Sequence, residues 1–143
     1  MSEDLQELAG RYRDILRQAV FLVRSMDAEG QLSTRNLSTM NMIAKQPMRV
    51  SAIARYAGIR VPSATEQVIE LEAAGLVERL GDESDARVVL VALTDAGRER
   101  LDETNKLRNG AMAKALATLS AEERQAISSA IPAIAKLNEA LTD

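Results

Sequence analysis

Apolar residues recur at alternating steps of three and four near both ends of the chain. The first stripe runs from Leu5 to Met26 without a proline, which predicts one long amphipathic helix. The second stripe follows Ser120 and Glu123, a pair spaced as a helix-capping box, and contains Pro132, which is expected to kink its helix. Narrow stripes of this kind are typical of helices that pack on a neighbouring helix or on a second subunit.

Shorter helical patterns occupy the middle of the chain. Residues 27–32 read as a loop, after which Ser33 can cap a helix that ends at Gln46-Pro47. A short helix from Val50 then ends at Gly58, where glycine permits a tight turn. The next helix is predicted over 62–74, because proline is tolerated in a first helical turn and a glycine follows at 75.

The period of the pattern then changes from helical to extended. Two short β-branched or leucine-rich runs, 77–80 and 88–93, flank a polar stretch of about seven residues and predict a hairpin with an exposed loop. Thr94 and Asp95 then begin a further helix that runs through Leu116. The predicted fold is therefore mainly α with a small β-hairpin wing, in the order of a winged helix-turn-helix with helices at both ends.

The composition removes most kinds of chemistry. The chain has no cysteine and no histidine, so thiolate nucleophiles, disulfides, thiolate or imidazole zinc sites and a histidine base are excluded. We expect no enzyme activity and no cofactor. No apolar run is long enough to span a bilayer and the start of the chain is acidic, so we expect a cytoplasmic protein without a membrane partner. The net charge of −3 argues mildly against nucleic-acid binding.

Several segments together resemble the MarR family of bacterial transcriptional regulators. The run from Leu71 to Arg79 is similar to the family's passage from the recognition helix into the wing. Asp85-Ala86-Arg87, followed by Leu93-Thr94 and then Gly97, is similar to its wing signature. The segments 50–54 and 119–123 also fit, so the resemblance covers nearly the whole chain.

The resemblance implies a single MarR-type domain over residues 1–143, with a winged helix-turn-helix lobe at 33–94 and dimerisation helices at 1–32 and 95–143. It also implies a set of residues that contact DNA on the recognition helix and the wing. These are Arg60, Ser63, Thr65, Glu66, Gln67, Asp85 and Arg87. Arg87 is the wing arginine, suited to the negative potential of a narrow minor groove, and Asp85 positions it. Helix capping is the alternative role for Ser63, Thr65 and Gln67, and a solvated ion pair is the alternative for Arg87. Arg60 could equally cap a neighbouring carbonyl.

This chain departs from the family in carrying acidic or neutral residues where a basic one is common. Glu66 lies at the groove-facing side and Ala86 within the wing, beside Asp82 and Glu83. We therefore expect modest non-specific affinity for DNA. Glu66 can still accept a hydrogen bond from a cytosine amino group and so add sequence preference.

A second hypothesis concerns a small-molecule pocket. Arg17, Phe21 and Arg24 share one face of the first helix, and Met40 is a candidate lining residue. Together they could hold a small anionic aromatic effector, the ligand class that the resemblance suggests. An inter-subunit salt bridge, a solvated face and plain core filling by Met40 are the alternatives.

The function predicted from the sequence is a homodimeric, ligand-responsive repressor that binds a pseudo-palindrome in double-stranded DNA. The alternative is a winged-helix protein-interaction module with little or no DNA binding, which the balanced charge of the DNA-facing region keeps open. Gel-shift binding to the chain's own upstream DNA distinguishes the two.

Overall fold

The computed structural model describes residues 3–27 and 31–142. The elements within these residues are α1 (Leu5–Arg24), α2 (Thr34–Lys45), α3 (Val50–Ala57), α4 (Val61–Ala73), β1 (Val77–Gly81), β2 (Val89–Leu93), α5 (Asp95–Leu116) and α6 (Ala121–Thr142). The predicted fold class, mainly helical with one hairpin, is confirmed. Residues 28–30 of the predicted loop lie outside the described residues.

Side-chain caps fix where the helices begin. The Ser33 hydroxyl accepts a hydrogen bond from the Asn36 amide at 3.1 Å at the start of α2. At the start of α6 the Ser120 hydroxyl accepts from the Glu123 amide, and the Glu123 carboxylate accepts from the Ser120 amide at 3.0 Å. The predicted capping box is therefore present, and these bonds lower the pKa of Glu123. Helix α6 continues through Pro132.

The helix-turn-helix consists of α3 and α4. Gly58 ends α3 in the left-handed region at φ 66°, a conformation that glycine adopts at little cost. Helix α4 begins at Val61, so Pro62 lies in its first turn, where the missing N–H has no helical partner to lose. The prediction for this helix was correct to within one residue at each end.

The wing is an antiparallel pair in which Val77 faces Leu93 and Gly81 faces Val89. Its inner edge is extended by one residue of the α2–α3 connection. Met48 pairs with Val91 through bonds of 3.0 Å and 2.7 Å in the two directions. An isolated hairpin is marginally stable, so this bridge and the burial of Val77 and Val91 attach the wing to the helices.

The hydrophobic core joins the winged lobe to the start of α5. It is formed by α2, α3, α4, the wing and the first half of α5, and includes Met40, Ile53, Val68, Val91 and Leu101. Helices α1 and α6 contrast with this, since none of their described residues is buried. Their apolar side chains instead remain exposed. The large apolar side chains with at least 44% exposure include Leu5, Ile15, Phe21, Leu22, Ile127, Ile131 and Leu141.

Candidate nucleic-acid interface and adjoining cavity

The outer side of α4 carries four of the residues predicted to contact DNA. Arg60 is the N-cap of the helix and is exposed, without a capping bond from its own side chain. Glu66 is exposed, and Ser63 and Thr65 are half-buried. The structure thus groups these four at the beginning of the second helix of the helix-turn-helix, the end that enters the major groove in such motifs.

Gln67 does not belong to this surface. Its side chain is fully buried at 0% exposure, and its amide is held by α2 rather than presented outward. The prediction that Gln67 contacts DNA is therefore wrong. Helical spacing places residue 67 on the same stripe as Ala64, Val68 and Leu71, the other buried residues of α4.

The wing presents Arg87 at its tip. The Arg87 side chain is 91% exposed and pairs with Asp85 through two bonds of 3.2 Å, one from Nε and one from Nη2. The Arg87 amide also donates to Asp85 at 3.0 Å. These bonds lower the pKa of Asp85. An exposed ion pair of this kind contributes little free energy, so Arg87 can exchange Asp85 for a phosphate or a groove at small cost.

The wing loop is an acidic turn whose two aspartates accept hydrogen bonds from neighbouring loop residues. Asp82 accepts from both the amide and the hydroxyl of Ser84, at 2.9 and 2.8 Å, which lowers the pKa of Asp82. Arg49, the exposed N-cap of α3, also lowers the pKa values of Asp82 and Asp85 through its charge. Arg49 therefore adds a cation on the wing side of the lobe.

A cavity of about 560 Å³ adjoins this lobe. Its wall combines Arg24 at the end of α1 with side chains of α2, α3 and α4, among them Arg35, Thr39, Tyr56 and Gln67. Two guanidinium groups, an aromatic ring and several hydroxyl and amide groups suit an anionic, partly apolar ligand, because the lining carboxylate Asp27 is already paired with Arg108 at 3.1 Å.

Only one of the four predicted pocket residues lines this cavity. Arg24 does so, whereas Arg17 pairs with Asp14 at 3.0 Å on an exposed face and Phe21 is 70% exposed, outside the lining. Met40 is fully buried in the core. The prediction for Met40 is wrong, because its position on the buried stripe of α2 directs it away from the cavity and into the hydrophobic core.

Arg108 of α5 connects this helix to the end of α1 and to the start of α2, beside the cavity. Arg108, 13% exposed, donates to Asp27 and to the Leu32 carbonyl at 3.1 Å each, and to the Thr34 hydroxyl at 3.2 Å. Asp27 also accepts from the amide and hydroxyl of Thr34, at 2.7 and 2.5 Å. Bonds from Thr34 and Arg108 lower the pKa of Asp27. This cluster fixes the end of α1 and the start of α2 against α5.

The Asp27 cluster makes a prediction about acid stability. A carboxyl group with a lowered pKa in the folded state stabilises that state above its unfolded pKa of about 4. The contribution is lost as the pH falls through the lower, folded value. We expect Asp27→Asn to flatten the dependence of the melting temperature on pH below about 4. The check is thermal unfolding from pH 7 to pH 3, with Asp102→Asn as the control at an exposed aspartate of α5. Equal slopes for Asp27→Asn and the unsubstituted protein would contradict the assignment.

Across residues 3–27 and 31–142, no group of three or more acidic side chains is placed to hold a metal ion. In that same part of the chain, no helix combines the length and apolar character needed to cross a membrane.

Comparison with known proteins identifies relatives at the level of sequence. The MarR family model matches residues 35–89. An HTH-type transcriptional regulator of Mycobacterium bovis, Mb0904, is 31% identical over 109 residues, which cover 76% of each chain. The regulator YdgJ of Bacillus subtilis is 37% identical over 75 residues, 52% of this chain and 46% of its own length, so the chain spans less than half of that relative.

Solved structures share the fold. The multiple antibiotic resistance repressor MarR superposes with a TM-score of 0.76 at 16% identity, covering 94% of this chain and 96% of that one. FabT of Streptococcus pneumoniae, solved in complex with DNA, gives 0.68 at 21% identity, with 96% and 99% covered. RV2887 of Mycobacterium tuberculosis, solved with salicylic acid, gives 0.64 at 24% identity, with 93% and 97% covered.

The element order, in which a helix-turn-helix is followed by a two-stranded wing, agrees with these matches. The matches confirm the expectation that the protein is a transcriptional regulator rather than an enzyme. The chain belongs to the MarR family of winged helix-turn-helix transcriptional regulators.

Proposed function

We propose that the protein is a homodimeric repressor that binds a pseudo-palindromic site in double-stranded DNA and responds to a small anionic ligand. The observation that carries the DNA-binding part is the exposed Arg87 at the wing tip, together with the exposed start of α4. One helix fits the major groove, about 12 Å wide, while an arginine of a hairpin loop can enter the adjoining minor groove. Such a protein acts in the compartment that holds the DNA, the cytoplasm in a bacterium.

The exposed apolar stripes of α1 and α6 support the homodimer. Seven of the side chains on the two apolar stripes are at least 44% exposed in the single chain, namely Leu5, Leu8, Ile15, Leu22, Ile127, Ile131 and Leu141. Monomeric proteins seldom leave large apolar patches uncovered. A second copy covers the same surfaces on both subunits by symmetry and also supplies the second half-site reader.

The cavity supports the ligand response. Its wall joins Arg24 of the dimerisation helix α1 to Arg35 of α2, whose guanidinium donates to the Ser63 carbonyl of α4 at 3.3 Å. A ligand there contacts both the helix proposed to set the subunit arrangement and an arginine that holds the start of the proposed recognition helix. Differential binding to two spacings of the recognition helices then shifts their populations. Salicylate is a suitable first probe because it is a small aromatic anion.

Binding to DNA is tested directly with the chain's own upstream region. A labelled duplex of that region is titrated with the protein at low salt, with a coding-region duplex of equal length as the control. Retardation of the upstream duplex at concentrations at least about tenfold lower than those needed for the control supports sequence-specific binding. Addition of salicylate then tests the proposed release.

Arg87→Ala is expected to weaken binding about tenfold or more and to lower the slope of log affinity against log salt by about one. The reason is the loss of a single cationic contact at the wing. Arg13→Ala is the charge-matched control, since Arg13 is exposed on α1, outside the winged lobe. An unchanged affinity and salt slope for Arg87→Ala would show that the wing does not contact DNA.

One observation favours a second candidate function. The cations of the DNA-facing region are largely offset by carboxylates, because Asp85 pairs with Arg87 and Asp82 lies near Arg49 of α3. A winged-helix module that binds a protein rather than DNA would have such a surface. An intact dimer that binds no duplex at low salt would support this alternative.

A further inference from the structure

The buried face of α4 contains one polar side chain, Gln67, among Ala64, Val68 and Leu71. Burying an amide costs free energy unless its hydrogen bonds are replaced. The hydrogen-bond partners that offset this cost therefore indicate what a polar residue contributes on this apolar stripe.

The partners of Gln67 all belong to α2. Its Nε2 group donates to the Arg35 carbonyl and to the Asn36 side-chain oxygen, each at 3.0 Å, and its Oε1 accepts from the Thr39 hydroxyl at 3.1 Å. Because a backbone carbonyl can only accept, the Arg35 contact also fixes which way the amide points. We call Gln67, Asn36 and Thr39, with the Arg35 carbonyl, the α2–α4 clamp.

A second bond between the same helices lies one turn closer to the start of α4. The Arg35 guanidinium donates to the Ser63 carbonyl at 3.3 Å. The clamp and this bond hold the first two turns of α4, which carry Ser63, Thr65 and Glu66 on the outside. Apolar contacts are non-directional, so they restrict rotation and sliding of α4 less than the directional hydrogen bonds of the clamp do.

We propose that Gln67 is a positioning residue for DNA recognition: through the α2–α4 clamp it sets the rotation of α4 and so the direction in which Thr65 and Glu66 face the groove. The inference rests on the proposed function, since it presupposes DNA binding by α4. Base contacts are selective only when their donors and acceptors are correctly aligned. Loss of the clamp therefore lowers discrimination between sequences more than it lowers total affinity.

The test measures discrimination rather than stability alone. The duplex is the best site that the unsubstituted protein selects from random DNA, and a scrambled duplex of equal length gives the non-specific affinity. Gln67→Met keeps the length of the side chain and removes all three bonds. We expect its ratio of specific to non-specific affinity to fall at least about tenfold, measured well below its melting temperature.

A pair of substitutions at Thr39 gives an independent reading if Gln67→Met does not fold. Thr39→Val keeps the shape but removes the hydroxyl that donates to Gln67, whereas Thr39→Ser keeps the hydroxyl. We expect discrimination to fall with valine and to be retained with serine. Ile43→Val, a buried change on α2 outside the clamp, controls for general destabilisation and leaves discrimination unchanged.

Failure of the clamp proposal and failure of DNA binding give different results. If Gln67→Met or Thr39→Val lowers only the melting temperature, as Ile43→Val does, the clamp is merely structural and the inference is wrong while DNA binding stands. If the unsubstituted protein selects no site at all, the proposed function fails and the inference fails with it.

Discussion

Gly97→Ala is expected to lower the free energy of unfolding by about 3 kcal/mol or more, a loss large enough to threaten folding. A Cβ at residue 97 would overlap the carbonyl oxygen of Leu76 and lie 2.8 Å from its carbonyl carbon. Both obstacles are backbone atoms, so no side chain can move aside. The Leu76 carbonyl is also held in place, because it accepts a hydrogen bond from the Thr94 amide at 3.1 Å.

The matched control for this change is Gly110→Ala in the same helix. Nothing lies within 4 Å of a Cβ at residue 110, and alanine is favoured over glycine inside a helix by about 0.5–1 kcal/mol. The two substitutions should therefore shift the melting temperature in opposite directions at equal protein concentration. A Gly97→Ala protein as stable as the unsubstituted one would mean that α5 does not approach the β1 connection this closely.

Ile131→Glu is expected to convert the dimer to monomer and to reduce DNA affinity about 100-fold or more. Ile131 is 60% exposed on the apolar stripe of α6, and a carboxylate there would be buried without a partner in the proposed interface. The DNA effect follows because two half-site readers on one dimer bind far more tightly than two separate ones. Analytical ultracentrifugation distinguishes the 15.5 kDa chain from twice that mass.

Ser129→Glu provides the control for added charge on α6. Ser129 lies two residues before Ile131, nearly opposite on the helix, and is exposed. It should remain dimeric and bind DNA normally. A dimer that persists in Ile131→Glu would place the subunit interface elsewhere.

The elements of the fold were predictable because each leaves a local signal. Helix ends are fixed by hydrogen bonds to nearby residues at Ser33 and at the Ser120–Glu123 pair. Gly58 and Pro62 mark helix ends through their own backbone conformation. The hairpin was likewise visible from its change of period. The bridge between Met48 and Val91 could not be predicted from the sequence, because its two residues are separated by most of the winged lobe.

The site was less predictable, and Gln67 shows why. Its helical spacing is that of the buried stripe of α4, whereas the family resemblance assigned it to the surface that contacts DNA. Spacing proved decisive because partners 28 to 32 residues away in α2 satisfy the amide. Arg108 was missed for a similar reason, as its acceptors lie 74 or more residues away. Thr39 had left a signal: a hydroxyl on the buried face of α2 needs a buried partner.

The most direct test of the account is selection of binding sites from random double-stranded DNA by the intact protein at low salt. The account predicts enrichment of a pseudo-palindrome whose half-sites lie about one helical turn apart, and weaker enrichment with Arg87→Ala. A dimeric protein that enriches no sequence would contradict the assignment of α4 and the wing as a DNA-reading surface.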